Sequence, residues 1–227
     1  MADREEIRRL ARESIARGDS TGWFEELYRR AGGEWQRISW VDLVPNPYLV
    51  EWLNSGTSGY GGSCLVVGCG LGDDAEVLAE AGYSVTAFDV SPTAIEGCRA
   101  RFPHSRVAYV VADALALPAE WARRFDFVLE SYTLQVLPPD ARVVAMHQLA
   151  RVVSPGGRLL VLCRGRERED PAGELPWPIT KDELAAFRDS GLQEISFEDF
   201  PDGEVPPVRR FRILYGREQE GKEHGGK

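Results

Sequence analysis

The sequence predicts an α/β fold built on a doubly wound, mostly parallel sheet. From Ser63 onward, strand-like runs alternate with helical runs, which is typical of parallel strands covered by helices on both faces. The first five strand-like runs are apolar at nearly every position, as expected where both faces of a sheet are buried. The last two alternate apolar and polar residues, which predicts a terminal antiparallel pair. A chain of 227 residues, 43% of them hydrophobic, suits one domain with a complete core.

Residues 1–55 are predicted to form a helical segment that covers the site as a lid. Residues 3–30 have the pattern of two helices, the second beginning after a capping residue at positions 19–21. The stretch "PNPY" contains two prolines, which break any long helix before Tyr48. A short helix over about residues 47–53 is therefore expected.

Residues 56–216 are predicted to form the main domain. Its strand-like runs are "SCLVVG", "SVTAFDV", "RVAYVVAD", "FDFVLES", "GRLLVLCRG", "QEISFEDF" and "VRRFRILYG". The polar stretch "RGREREDPAGELPWP" is long for a connection, and loops of this length over α/β sheets are often lids. "TKDELAAFRDSGL" predicts a capped helix ending near Gly191. Residues 217–227 contain no apolar side chain and are predicted to be disordered.

Charge and composition limit the classes of molecule that the chain is expected to bind. The formal net charge is −9, so the chain as a whole does not attract nucleic acid or an anionic membrane. The N-terminus lacks the apolar run of a signal peptide, and no stretch approaches the roughly 18 apolar residues of a membrane span. The four cysteines form no C-x-x-C pair, so reduced thiols and no metal site are expected. These features predict a cytoplasmic protein without a nucleic-acid or membrane partner; they leave the oligomeric state open.

The stretch "VVGCGLGDD" follows the first strand and has the glycine pattern of a nucleotide site. A dinucleotide site needs G-x-G-x-x-G, but here Gly68, Gly70 and Gly72 are followed by Asp73 where the last glycine belongs. In dinucleotide folds the pyrophosphate lies on the helix N-terminus. Two like charges about 4 Å apart repel by about 4 kcal/mol at an effective dielectric near 20. This repulsion argues against NAD and FAD, and the absence of GK[ST] argues against a P-loop.

Acids beside these glycines suit an adenosyl ligand that carries a positive charge and no phosphate. S-adenosylmethionine (SAM) is such a ligand, and S-adenosylhomocysteine (SAH) is its demethylated product. Asp74 is the preferred partner of the ligand's ammonium and Asp73 the alternative, although both acids also favour a helix N-terminus. Asp89, which ends the second strand, is predicted to accept from both ribose hydroxyls, with Ser91 as the better helix cap. Asp113, after the third strand, either accepts from the adenine amino group or caps its own loop.

The same motifs resemble those of class I SAM-dependent methyltransferases. "LVVGCGLGDDAEVLAEAGYSVTAFDVSPTAI" is most similar to the group that methylates thiopurines, thiols and halides, and "FDFVLESYTLQVLPP" and "LARVVSPGGRLLVL" continue the match. The resemblance covers residues 35–215. It implies a seven-stranded Rossmann-like sheet with a reversed edge hairpin. Val67 and Asp73 depart from the group's pattern, and positions 132–137 also differ, so the group's acceptor is not carried over.

The carboxyl ends of the strands define the predicted site, since ligands bind there in this class of sheet. The predicted cofactor-binding residues are Gly68, Cys69, Gly70, Gly72, Asp74, Asp89, Val90, Ser91, Asp113, Ala114, Glu130 and Ser131. The predicted substrate and lid residues are Trp23, Trp35, Trp40, Tyr48, Gln135, Arg164 and Trp177. Aromatic rings suit a lid over a flat acceptor, while ordinary core packing is the competing explanation. Arg164, Arg166 and Arg168 either receive an anionic acceptor or belong to a solvated loop.

Methyl transfer from a sulfonium needs alignment and a dry pocket. A general base is needed only when the nucleophile carries a proton at high pKa. Tyr132 is the candidate catalytic residue, and Glu130 is either a base or an electrostatic group; His147, in mid-helix, is expected to have no role. A soft small-molecule nucleophile such as a thiol or halide is the predicted acceptor. A macromolecular acceptor and a SAM-binding protein without transfer activity are the alternatives.

Overall fold

Seven strands form one sheet in the computed structural model, which describes residues 4–56 and 61–219. The strands are β1 (Ser63–Val67), β2 (Ser84–Asp89), β3 (Ala108–Val111), β4 (Phe125–Ser131), β5 (Val153–Arg164), β6 (Gln193–Pro201) and β7 (Arg209–Gly216). Their order is β3–β2–β1–β4–β5–β7–β6. The first five strands are parallel, and β7 runs antiparallel to both β5 and β6. The predicted fold is confirmed, including its reversed terminal pair.

Seven α-helices surround the sheet in the described part of the chain. They are α1 (Arg4–Ala16), α2 (Gly22–Ala31), α3 (Pro47–Asn54), α4 (Asp73–Glu80), α5 (Pro92–Arg101), α6 (Pro139–Val152) and α7 (Ala186–Asp189). Alternate side chains of β1 enter two different cores: Leu65 and Val67 pack in the core that includes α6, and Cys64 and Val66 pack in the core that includes α3, α4 and α5. Both faces of the strand are therefore buried, which explains its unbroken apolar run.

The short helix predicted over residues 47–53 is observed as α3. The Asn46 side chain caps it by accepting from the Tyr48 N–H at 3.0 Å, and Pro47 occupies the first turn, where a missing N–H costs little.

Two sequence predictions need correction. "TKDELAAFRDSGL" forms only a 3₁₀ turn over Glu183–Ala185 and the single turn of α7, although Thr180 and Glu183 do make the reciprocal bonds of a capping box. Arg217 was predicted to be disordered, but its guanidinium donates to the carbonyls of Ala150 (2.7 Å) and Val153 (3.1 Å). These carbonyls lie at the C-terminus of α6, where a cation is favoured. Residues 220–227 of the predicted tail lie outside the described residues.

The N-terminal helices α1 and α2 pack through Ile7, Trp23 and Leu27 into a third core, which also contains Leu71 and Ala94 from the loop after β1 and from α5. A carboxylate of α2 fastens this layer. Glu25 accepts from the Ser91 hydroxyl (2.6 Å) and the Thr93 hydroxyl (2.7 Å) at the start of α5. The N-terminal segment thus lies against the carboxyl edge of the sheet. Within residues 4–56 and 61–219, no helix has both the length and the apolar composition that a bilayer crossing requires.

Candidate functional site

A cavity of about 770 Å³ lies at the carboxyl edge of the parallel strands. This volume falls in the range of small-molecule sites. The ends of β1, β2, β3 and β4 form its floor, while α2 and residues 39–48 form much of its wall. We refer to it as the edge cavity.

The loop after β1 brings bare backbone to the edge cavity. Gly68 and Gly70 adopt φ values of +55° and +53°, which residues with a side chain rarely adopt. A Cβ at Gly68 would collide with the Thr133 side chain. The loop is held from below by Asp89, whose Oδ2 accepts from the Gly70 N–H at 2.9 Å. The glycines therefore allow the loop to turn tightly against Thr133 and Tyr28 while its backbone lines the cavity.

The two adjacent acids at the start of α4 have different partners. Asp73 forms a two-pronged ion pair with Arg101, with both N–O distances at 2.7 Å. Asp74 instead accepts from the backbone N–H of Asn46 at 2.7 Å, lines the edge cavity, and forms no ion pair with any described residue. Burial raises the pKa of Asp74, and the adjacent Asp73 adds to the effect. Of the two carboxylates, Asp74 is the one whose charge is left for a cationic ligand.

Asp89 is a buried carboxylate at the end of β2. Its two oxygens accept from the N–H groups of Ser91 and Gly70, each at 2.9 Å. Each oxygen retains acceptor capacity for a further donor. Burial is the main cause that raises the pKa of Asp89 to about 6. The cavity therefore holds a pre-oriented acceptor of two further hydrogen bonds.

Asp113 serves its own loop and also contacts the N-terminal layer. Its Oδ1 accepts from the Leu115 N–H at 2.8 Å, and its Oδ2 accepts from the Thr21 hydroxyl at 3.3 Å. It also lines the edge cavity. Loop capping is thus observed, and a role toward an adenine stays a prediction.

Tyr132 follows β4 with an unusual backbone, at φ +64°. Its N–H donates to the Leu162 carbonyl at 3.0 Å, and the Arg210 guanidinium lies 4.9 Å from its ring centroid. Burial raises the pKa of Tyr132 to about 12, although the nearby Arg210 and the Asn46 side chain oppose this shift. The phenol therefore stays protonated near neutral pH and can donate a hydrogen bond into the edge cavity.

Sequence reasoning missed Asn46. Its backbone N–H donates to Asp74, and its Nδ2 donates to the Ser131 hydroxyl at 3.1 Å. The one signal in the sequence was its position before Pro47, which predicts a helix cap. Phe24, Tyr28 and Arg210 also line the cavity without having been predicted.

Most of the predicted site residues do line the edge cavity. They are Gly68, Cys69, Gly70, Asp74, Asp89, Val90, Asp113, Ala114, Ser131, Tyr132, Trp40, Tyr48, Gln135 and Arg164. Their individual roles toward a ligand stay predictions.

Six predicted residues do not line it: Gly72, Ser91, Glu130, Trp23, Trp35 and Trp177. Ser91 is buried as the cap of α5, where its hydroxyl accepts from the Ala94 N–H at 3.0 Å. Glu130 is fully buried and uses Oε1 to accept from Thr133 and Leu134, which shapes the loop after β4. Gly72 starts α4 on the side facing Tyr109. The three tryptophans pack in the core around α1 and α2, as the competing explanation held.

Residues 64–157 match the family model described as a methyltransferase domain. The ubiquinone biosynthesis O-methyltransferase of Aromatoleum aromaticum is 34% identical over 116 residues, which is 50% of this chain and 49% of that protein. The probable thiol methyltransferase 2 of Arabidopsis thaliana is 25% identical over 148 residues, 63% of this chain and 62% of that protein. The chain spans between about half and just under two thirds of the length of the curated relatives it matches.

A solved structure from work on the conversion of a disulfide bond into a thioacetal group during echinomycin biosynthesis has the same fold. Its TM-score is 0.73 at 25% identity, over 89% of this chain and 93% of that one. The relatives include both O-methyltransferases and a thiol methyltransferase. The narrower resemblance to the thiopurine, thiol and halide group is therefore not confirmed.

Proposed function

Because the chain carries a class I methyltransferase domain, for which SAM is the cofactor, we propose that it transfers the SAM methyl group to a small-molecule acceptor by in-line displacement. The observation that carries the proposal is a glycine-rich loop flanked by Asp74 and Asp89 around one cavity. This arrangement suits a cationic adenosyl ligand, and the acid at the helix N-terminus disfavours a pyrophosphate.

The lining residues fit the parts of the cofactor. Asp89 would accept from the ribose hydroxyls and Asp74 from the ammonium. The bare backbone of Gly68 and Gly70 would allow the cofactor to approach closely, and Asp113, which lines the same cavity, would accept from the adenine amino group.

SAM, when bound, supplies a methyl group that is already activated on a sulfonium. The residues of this chain then need to align an acceptor and exclude water. Among the described residues, no histidine lines the edge cavity, and Glu130 lies beneath the loop rather than in it. The lining carboxylates Asp74, Asp89 and Asp113 each accept from a backbone N–H, which disfavours their use as a base. This lining favours a nucleophile that needs little deprotonation, such as a thiol or a halide. The hydroxyl of Tyr132 would orient the acceptor.

A screen with methyl-labelled SAM against thiols, halides, phenols and amines tests the proposal. We expect label in thiol or halide products, and about 5- to 150-fold less of it at subsaturating SAM with the Asp89→Ala variant. Saturable SAM binding without label in any product would favour the alternative of a SAM-binding protein without transfer activity. The absence of SAM binding would contradict the proposed function itself.

The Tyr132→Phe variant tests the phenol. If the hydroxyl orients the acceptor, kcat should fall about 2- to 12-fold, the scale of one net hydrogen bond. The affinity for SAH, measured by calorimetry, should stay unchanged because the ring remains beneath Arg210. Full turnover on the acceptor would remove the hydroxyl from the reaction.

Cofactor affinity should depend on pH through Asp89. Ribose hydroxyls donate to the ionised carboxylate, whose pKa in the ligand-free protein is about 6. The affinity for SAH should be nearly constant above about pH 7 and fall about tenfold per unit below pH 6. The free energy of unfolding should depend on pH in the opposite direction. The pKa of Asp89 is higher in the folded protein than the value of about 3.9 in the unfolded chain, so its protonation stabilises the fold below about pH 4. This contribution is lost as the pH rises through about 6. Calorimetry at pH 5 to 8 measures the affinity, and Asp89→Asn should remove most of its pH dependence.

A further inference from the structure

One cation of the edge cavity, Arg164, has no ion-pair partner among the described residues. Arg164, the last residue of β5, lines the cavity, and its Nε is buried without a hydrogen-bond partner among the described residues. Within the same part of the chain, its guanidinium forms no ion pair. Two neighbouring arginines of the cavity wall differ: Arg210 pairs with Asp202 and Glu204, each at 2.7 Å, and Arg8 pairs with Glu174 at 2.6 Å.

Hydrogen bonds hold the backbone of Arg164 in place, but none of them uses its guanidinium. The Gln135 Oε1 accepts from the Arg164 N–H at 2.7 Å, and the Arg164 carbonyl accepts from Ile179 at 2.8 Å. Gln135 is itself buried, with 4% of its surface exposed. The guanidinium is thus presented to the cavity by a rigid strand end rather than by a mobile loop.

The surroundings of Arg164 disfavour an uncompensated charge. Burial lowers the pKa of Arg164, and the nearby Arg210 lowers it further; Glu204, which already pairs with Arg210, opposes this only in part. A guanidinium remains protonated all the same. A partly buried cation among other cations is costly unless an anion reaches it.

The position of Arg164 along the sheet indicates which ligand supplies that anion. Asp89 ends β2, the glycine loop follows β1, Tyr132 follows β4, and Arg164 ends β5, and these four strands are consecutive in the sheet. Neighbouring strands lie about 4.8 Å apart, so Arg164 is about 10 Å beyond the glycine loop. The proposed cofactor occupies the β2–β1 end, which leaves the β5 end to the acceptor.

Of the acceptors considered above, we propose an organic molecule such as a thiol rather than a halide ion, and we propose that it carries an anionic oxygen group, a carboxylate or a phosphate, which Arg164 binds. This inference rests on the proposed function. A guanidinium can bind either group with two parallel hydrogen bonds. The aromatic side chains of Trp40, Tyr48 and Phe24 in the same cavity suit an acceptor with a flat ring next to that group.

Binding of acceptor-like probes to the SAH-saturated protein tests the inference without turnover. Calorimetry would compare benzoate, phenyl phosphate and benzamide, which share the ring and differ in charge. We expect at least one anion to bind about 10- to 150-fold more tightly than benzamide, the scale of a charge-assisted hydrogen bond. The preferred anion then distinguishes a carboxylate from a phosphate.

Variants assign the preference to one side chain. Arg164→Gln should abolish it, and Arg164→Lys, which keeps the charge, should retain part of it. Arg168→Gln is the matched control, because the Arg168 side chain is 82% exposed and reaches Asp182 only at 3.7 Å; this variant should bind the probes like the wild type.

Three results would overturn the inference. They are the lack of any anion preference in the wild type, a preference that persists in Arg164→Gln, and a loss of SAH affinity in Arg164→Gln, which would assign the guanidinium to the carboxylate of the cofactor. If the proposed function itself is wrong, the wild-type protein should not bind SAH, and this result is distinct from the three above.

Discussion

Replacing Asp89 with alanine is expected to weaken SAH binding about 5- to 150-fold, which corresponds to the 1–3 kcal/mol of hydrogen bonds lost from a buried polar group. The carboxylate is already oriented by the N–H groups of Gly70 and Ser91, each at 2.9 Å, so little ordering is left for the ligand to impose. Removing it also releases the glycine loop from its support.

A matched control variant distinguishes a loss of ligand binding from a general loss of stability. Asp126 likewise accepts a backbone N–H, that of Ser63 at 2.9 Å, but it lies at the opposite edge of the sheet and outside the cavity lining. Asp126→Ala should lower the melting temperature and leave the SAH affinity unchanged. Calorimetric titration of both variants measures the difference. Wild-type affinity in Asp89→Ala would exclude Asp89 from the ribose site.

Replacing Asp74 with asparagine is expected to weaken SAH binding about 10- to 150-fold, since a charge-assisted bond to the ammonium is lost. The loss should be specific to the amino acid end of the ligand. Methylthioadenosine has the same adenosine and no ammonium, so its affinity should not change in Asp74→Asn, whereas Asp89→Ala should weaken both ligands.

Asp73→Asn is the control for Asp74. Because Asp73 is paired with Arg101, its replacement should destabilise the start of α4 and have little effect on SAH affinity. Equal losses from Asp73→Asn and Asp74→Asn, or an equal loss of methylthioadenosine affinity in Asp74→Asn, would contradict the assignment of the ammonium to Asp74.

Much of this architecture is predictable from local pattern. The alternation after Ser63 predicts the parallel sheet because each apolar run is buried on two faces, and this burial depends on the run alone. Asp89 could be found for the same reason: a strand end followed by a capping serine fixes where the carboxylate lies.

The partners and the burial of individual side chains were not predictable where they depend on residues distant in the sequence. The choice between Asp73 and Asp74 is made by Arg101 and Asn46, which lie 28 residues away from Asp73 and Asp74 respectively and are adjacent to them only in the fold. Trp23 and Trp40 look alike in sequence, yet one is 2% exposed in the core and the other 39% exposed beside the cavity. Arg217, in the predicted tail, donates to a carbonyl of α6 that lies next to it only in the folded chain.

The central claim is that the edge cavity selects a cationic adenosyl ligand over a dinucleotide. Calorimetric titration of the wild-type protein with SAM, and in parallel with NAD, tests it most directly. We predict saturable binding of one SAM per chain and no binding of NAD, because the carboxylate of Asp74 attracts the ammonium and repels a pyrophosphate. Saturable binding of NAD, with none of SAM, would contradict the claim.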